Sequence, residues 1–110
     1  MDMSGFCLVQ TTIDDEIRAE DMAEALVERK LAACVQIAPV KSLYVWKGAP
    51  AKEKEYLLSA KARREDFIAI AAAIREMHSY ETPEIIALPI LAGDPAYLDW
   101  ALQATEREAG

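Results

Sequence analysis

Asparagine is missing from the 110 residues, histidine occurs once, at His78, and only two cysteines are present, Cys7 and Cys34. Each shortage removes a class of chemistry. Without asparagine the chain cannot be an acylphosphatase, which uses that side chain to orient a water beside an arginine anion cradle. The two cysteines stand far apart and form no CxxC, which excludes a zinc ribbon, a dithiol redox centre and a metal-chaperone loop within one chain. Both read as small buried hydrophobes in a reducing compartment. Positive charge is also in deficit, with 12 Lys and Arg against 19 Asp and Glu and a net charge of -7. A nucleic-acid partner draws its affinity from clustered cations, so none is expected. No GxGxxG or GxxxxGK[ST] phosphate cradle occurs. No run approaches the roughly 20 apolar residues that span a bilayer, and "MDMSGFCLVQ" lacks the basic region and cleavage site of a signal peptide. The expectation is a cytoplasmic protein with no membrane partner.

What is present is a chain 53% hydrophobic, of the size of one globular domain over residues 1–110. Residues 6–13, "FCLVQTTI", are apolar and β-branched without Gly or Pro, a buried strand. An acidic start, "DDE", opens a helix of about four turns. Its apolar face is Ala19, Met22, Ala23, Leu26, Val27 and Leu31, at spacings of three and four. Residues 34–46, "CVQIAPVKSLYVW", form an overlong strand, and the internal Pro39 assigns it to a sheet edge. "KGAPAKEKE" supplies turn residues and solvated charge, and "EYLLSAKA" returns as the second strand of a hairpin. In "RREDFIAIAAAIREMH", Phe67, Ile70, Ala71 and Ile74 make a helical stripe. Residues 84–91, "EIIALPIL", are the last strand, again at an edge because of Pro89. Asp94 as N-cap and Pro95 at the first helical position open a terminal helix through "AYLDWALQATERE".

The order is β-α-β-β-α-β plus a C-terminal helix, an α+β chain of the ferredoxin-like split βαβ type with an extended hairpin between its second and third strands. In that fold the second and fourth strands are the sheet edges, where Pro39 and Pro89 fall. Within "LYVW", Leu43 and Val45 face one way and Tyr44 and Trp46 the other, so both faces of the hairpin are apolar. One face covers the domain's own helices, and the other calls either for a second subunit or for packing of the hairpin tip on the chain's own C-terminal helix. On the returning strand, Glu55, Leu57, Ser59 and Lys61 share a face. There Lys61 reads either as half of an ion pair with Glu55 or another carboxylate, or as an anion-binding group.

"LAACVQI", "SLYVWKG", "EYLLSAK", "HSYETPEI" with "LPI", and the closing "YLDW" occur in the order found in the CutA-like divalent-cation tolerance proteins, and by them the chain resembles that family over nearly its whole length. The resemblance implies a ferredoxin-like protomer, a compact homotrimer assembled through extended hairpins, a role in the response to copper and other divalent metals, and no enzymatic activity. Some bacterial members hold metal with a cysteine at the end of the first strand and a histidine pair. The matching positions here are Gln10, Met77 and His78, with Ser79 at a usual proline and Gln36 at a common asparagine. Those departures imply weak copper binding and no required cofactor.

The stretch "MHSYETPEIIALPI", residues 77–90, has two readings. In the structural one, His78 closes a helix where a partly protonated imidazole suits the negative end of the dipole. Pro83 then forces Thr82 into extended geometry, and Glu81 and Glu84 are solvated. In the functional one, His78 with Glu81 and Glu84 offers nitrogen and carboxylate donors suited to Cu²⁺, completed at a subunit boundary. Alternatively Trp46, Lys61, Tyr80 and Glu84 line an inter-subunit cleft for a small molecule, which makes the protein a trimeric sensor or scaffold.

Overall fold

The structure, a computed structural model, describes residues 5–107. Its elements run β1 (Phe6–Ile13), α1 (Glu16–Glu28), β2 (Cys34–Trp46), β3 (Ala49–Arg63), a single 3₁₀ turn (Arg64–Asp66), α2 (Phe67–Met77), β4 (Ile86–Pro89) and α3 (Pro95–Ala104). The sheet order is β2-β3-β1-β4, and every neighbouring pair is antiparallel. This is the expected ferredoxin-like order, with the two proline-bearing strands at the edges.

Period-2 alternation divides the sheet into two faces. Cys7, Val9 and Ile13 of β1 and Leu58, Ala60 and Ala62 of β3 are buried in one core with Ala19, Met22 and Leu26 of α1 and Ile70, Ala73 and Ile74 of α2. Both long helices therefore lie on one side. On the opposite face a second cluster covers one corner, where Phe6, Ala33 and Ala101 are buried and Leu98 and Ala104 of α3 pack against them. Arg63 fixes that corner, its guanidinium donating to Thr105 Oγ1 at 2.8 Å and to the Leu102 carbonyl at 2.7 Å. Arg107 ties three further segments together: it donates to the Lys30 carbonyl at 2.6 Å, to the Thr105 carbonyl at 3.1 Å and to Asp66 Oδ1 at 2.8 Å.

The helix caps follow the sequence. Asp15 accepts from the amides of Ile17 and Arg18 at 2.9 and 3.1 Å. Asp94 accepts from those of Ala96 and Tyr97 at 3.1 and 3.3 Å, with Pro95 in the first turn. These bonds satisfy amides that a helix start leaves without partners.

Four local expectations need correction. The hairpin turn is two residues, not a charged loop: Lys47 and Gly48 have φ of 51° and 79°, the positive-φ pair of a tight hairpin turn, so β3 already begins at Ala49. The last strand is four residues, Ile86–Pro89, because only those face the short free edge of β1. Val27 is 44% exposed, since at its position the α1 surface has turned away from the sheet, and Leu31 lies beyond the helix end. The terminal helix stops at Ala104, where the Thr105 hydroxyl turns back onto the Ala101 carbonyl at 2.8 Å; Glu108 of the expected helix lies outside the described residues.

Thr11 sits in the core face of β1 at 1% exposure, and its hydroxyl has no hydrogen-bond partner among the described residues. A buried hydroxyl without a partner costs about 1–3 kcal/mol. Thr11→Val, of similar shape, is therefore expected to raise the unfolding free energy by about 1 kcal/mol in urea denaturation. A loss of stability would mean that the hydroxyl is satisfied in solution.

Candidate functional site: the His78–Tyr80–Glu55 junction

Helix α2 ends where His78 leaves helical geometry, with φ -83° and ψ 146°. Its ring then bridges two segments. Nε2 lies 2.8 Å from the Thr12 carbonyl oxygen of β1, and Nδ1 accepts the Tyr80 amide at 3.0 Å. A carbonyl can only accept, so Nε2 carries the proton and Nδ1 the lone pair. Both ring nitrogens are thereby in use. His78 closes the helix by tying its end to β1. A proton on Nδ1 would oppose the Tyr80 N–H.

The two rings are in contact, their centroids 4.6 Å apart. The Tyr80 hydroxyl continues the chain of contacts by donating to Glu55 Oε2 at 2.7 Å. Glu55 is only 5% exposed. Burial, the hydrogen bond to Glu55 and the negative charge of Glu55 all raise the Tyr80 pKa far above its usual value, because each disfavours a phenolate. A second pair of the same kind stands two residues along β3, where Tyr44 donates to Glu53 Oε2 at 2.7 Å. That hydrogen bond is the main reason the Tyr44 pKa is also raised.

Farther along the same open face, the Lys61 ammonium donates to Gln36 Oε1 at 2.8 Å, and Gln10 donates to Ser59 Oγ at 3.3 Å. Lys61 thus pairs with an amide and not with Glu55. Those two positions lie six residues apart on one strand, about 20 Å, and Glu55 belongs to Tyr80 instead. The carboxylate that organises the junction lies within "KEKE", which reads from sequence as solvated charge. The signal available for it was the strand period, which puts Glu55 on the same face as Leu57 and Ser59.

The proposed metal donors do not assemble within a protomer. Glu81 and Glu84 are exposed, His78 has no free lone pair, and among the described residues no three His, Cys, Asp or Glu side chains converge as metal ligands would. The residues fit a tight resident metal poorly. Nor does one protomer gather the four cleft residues. Trp46 pairs with Ala49 at the hairpin tip and Lys61 with Cys34 at the far end of the same ladder, about 40 Å away at 3.3 Å per residue. Tyr80 meets β3 between them.

A two-layer chain of this order, with one sheet face largely open and a hairpin projecting beyond its helices, has the ferredoxin-like fold. The chain belongs to the CutA1 divalent ion tolerance protein family, whose model matches residues 7–104. It is 44% identical over 90 residues to a CutA homolog of Xenopus laevis, matching 81% of this chain and 60% of that one. It is 40% identical over 99 residues to the divalent-cation tolerance protein CutA of Thermus thermophilus, matching 89% and 96%. The chain thus spans less than two thirds of the frog relative. The solved structure of a protein titled periplasmic divalent cation tolerance protein CutA, from Archaeoglobus fulgidus, superposes with a TM-score of 0.90 at 38% identity, covering 92% of this chain and 99% of that one. An Arabidopsis thaliana relative is named chloroplastic, so relatives occupy more than one compartment. In this chain no helix of the described residues is long and apolar enough to cross a membrane.

Because its folded pKa is raised from the usual 10, neutral Tyr80 contributes stability that is present below pH 10 and is lost as pH rises beyond it. Stability of the parent is expected to fall on the alkaline side of that point, with one tyrosine resisting ionisation in a 295 nm titration until unfolding. Tyr80→Phe should remove the Tyr80 share of this pH dependence, leaving that of Tyr44, and, by leaving Glu55 without its donor, lower the unfolding free energy by about 1.5–3 kcal/mol at pH 7. A parent in which every tyrosine titrates together near pH 10 would contradict the buried pair.

Proposed function

We propose that the protein serves divalent-cation tolerance as a non-catalytic homotrimer in which copies cover one another's projecting hairpins. The observation that carries this reading is the exposure of the hairpin end: Leu43 73%, Val45 72% and Trp46 60%. Contiguous apolar surface of this kind on a two-stranded projection calls for a partner. A second copy offers the same chemistry in its open sheet face, where Ile86 and Leu88 are 47% and 41% exposed. The cytoplasm suits Cys7 and Cys34, neither of which forms a disulfide among the described residues.

On this reading copper is cargo held weakly. For His78 to ligate Cu²⁺ it must first give up the Tyr80 amide, and the remaining donors, Glu81 and Glu84, are solvated carboxylates. Proton and metal compete for the same lone pair. A second reading, a small-molecule cleft between subunits, draws on the distance between Trp46 and Lys61. A cleft containing both requires Trp46 from one copy beside Lys61 of the next; Tyr80, bonded to Glu55, stands about 20 Å along β3 from that Lys61 and lies outside it.

Light scattering is expected to give about three times the 12.2 kDa chain mass, and Trp46→Glu to weaken association by about 2 kcal/mol or more. A monomer at micromolar concentration would refute the assembly. In calorimetric titration Cu²⁺ is expected to bind the parent weakly, less so as the solution is acidified, and about tenfold less tightly to His78→Ala. Equal affinity in the variant, or no binding by either, would confine His78 to its role in the helix end.

A further inference from the structure

The alternation "KEKE" in β3 separates charge by face. Glu53 and Glu55 lie on the open face with Tyr44 and Trp46. Lys52 and Lys54 lie on the other, helix-side face, where Lys54 is directly opposite Lys41 and Lys52 is directly opposite Leu43. Lys41, Lys52 and Lys54 are exposed, and none of them forms an ion pair among the described residues. Like charges directly across a strand pair are destabilising, and here they stand beside an exposed Leu43 and Val45. The helix layer of the protomer does not reach them: on β2, Val35 and Ile37 pack against the core, while Pro39, Lys41 and Leu43 beyond them are exposed.

Helix α1 carries the complementary surface. Its buried stripe is Ala19, Met22 and Leu26. On the opposite side Ile17, Asp21, Glu24 and Glu28 follow one another at helical spacing, all exposed, with Ile17 at 72%. No cation within the described residues pairs with Asp21, Glu24 or Glu28. An exposed apolar residue is thus set in three unpaired carboxylates on one helix face.

We propose that the cationic helix-side face of the hairpin docks on the outer, acidic stripe of α1 of a second copy of this chain. Such a contact continues the helix layer over the part of the hairpin that its own helices leave bare. It sets Leu43 beside Ile17 and lysines beside carboxylates. Two different patches meet, so the contact is heterologous, and repetition closes a ring where the rotation permits. The inference rests on the self-association proposed above and adds a second contact, distinct from the Trp46 face, that is electrostatic and salt-sensitive.

Sedimentation velocity at low and high salt tests it on the full chain. The variant Lys41→Glu/Lys52→Glu/Lys54→Glu, and separately Asp21→Lys/Glu24→Lys/Glu28→Lys, are each expected to weaken association about tenfold or more at low salt, and high salt to weaken the parent. Combining both sets in one chain keeps the parent's net charge and reverses both partners, so association should return. That rescue cannot arise from misfolding of either variant. If both single-patch variants associate like the parent while Trp46→Glu dissociates, the assembly stands and this contact is refuted. If the combined chain stays dissociated while the parent assembles, the pairing of these two patches is likewise refuted. A parent that is monomeric at tens of micromolar refutes this contact together with the assembly itself.

Discussion

The ladder between β2 and β3 runs without a bulge through thirteen residue pairs, from Cys34↔Lys61 to Trp46↔Ala49. That unbroken register is the constraint on which the rest depends. A slip of one residue would exchange the faces of a whole strand. Leu58, Ala60 and Ala62 would leave the core, Glu55 would lose Tyr80, and Lys52 and Lys54 would exchange sides with Glu53 and Glu55. The burial of Leu58 at 1% and Ala62 at 0% holds the inner half in place, and the projecting half inherits its facing from it. Chemistry at the exposed end of the hairpin is thereby set by packing at the buried end.

The same register puts a carboxylate where the loop after α2 can reach it. Glu55 is buried against Tyr80, Tyr80 rests on His78, and His78 holds β1 through the Thr12 carbonyl. The open face of the sheet and the end of a helix on its other side are therefore one connected unit. The lone histidine acts within that unit as a two-way hydrogen-bonding group. This role uses the donor and acceptor of imidazole together, and it opposes the use of the same ring as a strong ligand.

The fold was legible because its signals are periodic or local. Apolar residues three and four apart marked α1 and α2, the prolines at 39 and 89 marked edge strands, and Asp94-Pro95 marked a helix start. The shared segments from "LAACVQI" to "YLDW" pointed to the family that the comparisons bear out. The site was less legible because its partners are distant in sequence. Nothing in "HSYET" announces Thr12 or Glu55, and a glutamate flanked by lysines reads as solvated until a tyrosine covers it. The hairpin turn is hidden for a different reason. Lys47 occupies a positive-φ position that asparagine or glycine usually marks, so the sequence pattern points instead to the longer stretch of Gly, Ala and Pro. The charge segregation of "KEKE" followed from the strand period alone, once those residues belonged to a strand.

The place of β1 between β3 and β4 also orders events in time. During synthesis the first strand has no neighbour in the sheet until residues 56–63 exist, and none on its other side until residues 86–89 follow. The hairpin, closed by two residues, needs no such wait, since its pairing is local and its loop-closure entropy small. A nascent chain would thus display its apolar ribbon before the strand that completes the core is captured. That interval is when neighbouring chains on one message are most exposed to premature pairing, and lysines at the bare face, by repelling their counterparts on another unfinished ribbon, shorten the list of wrong encounters.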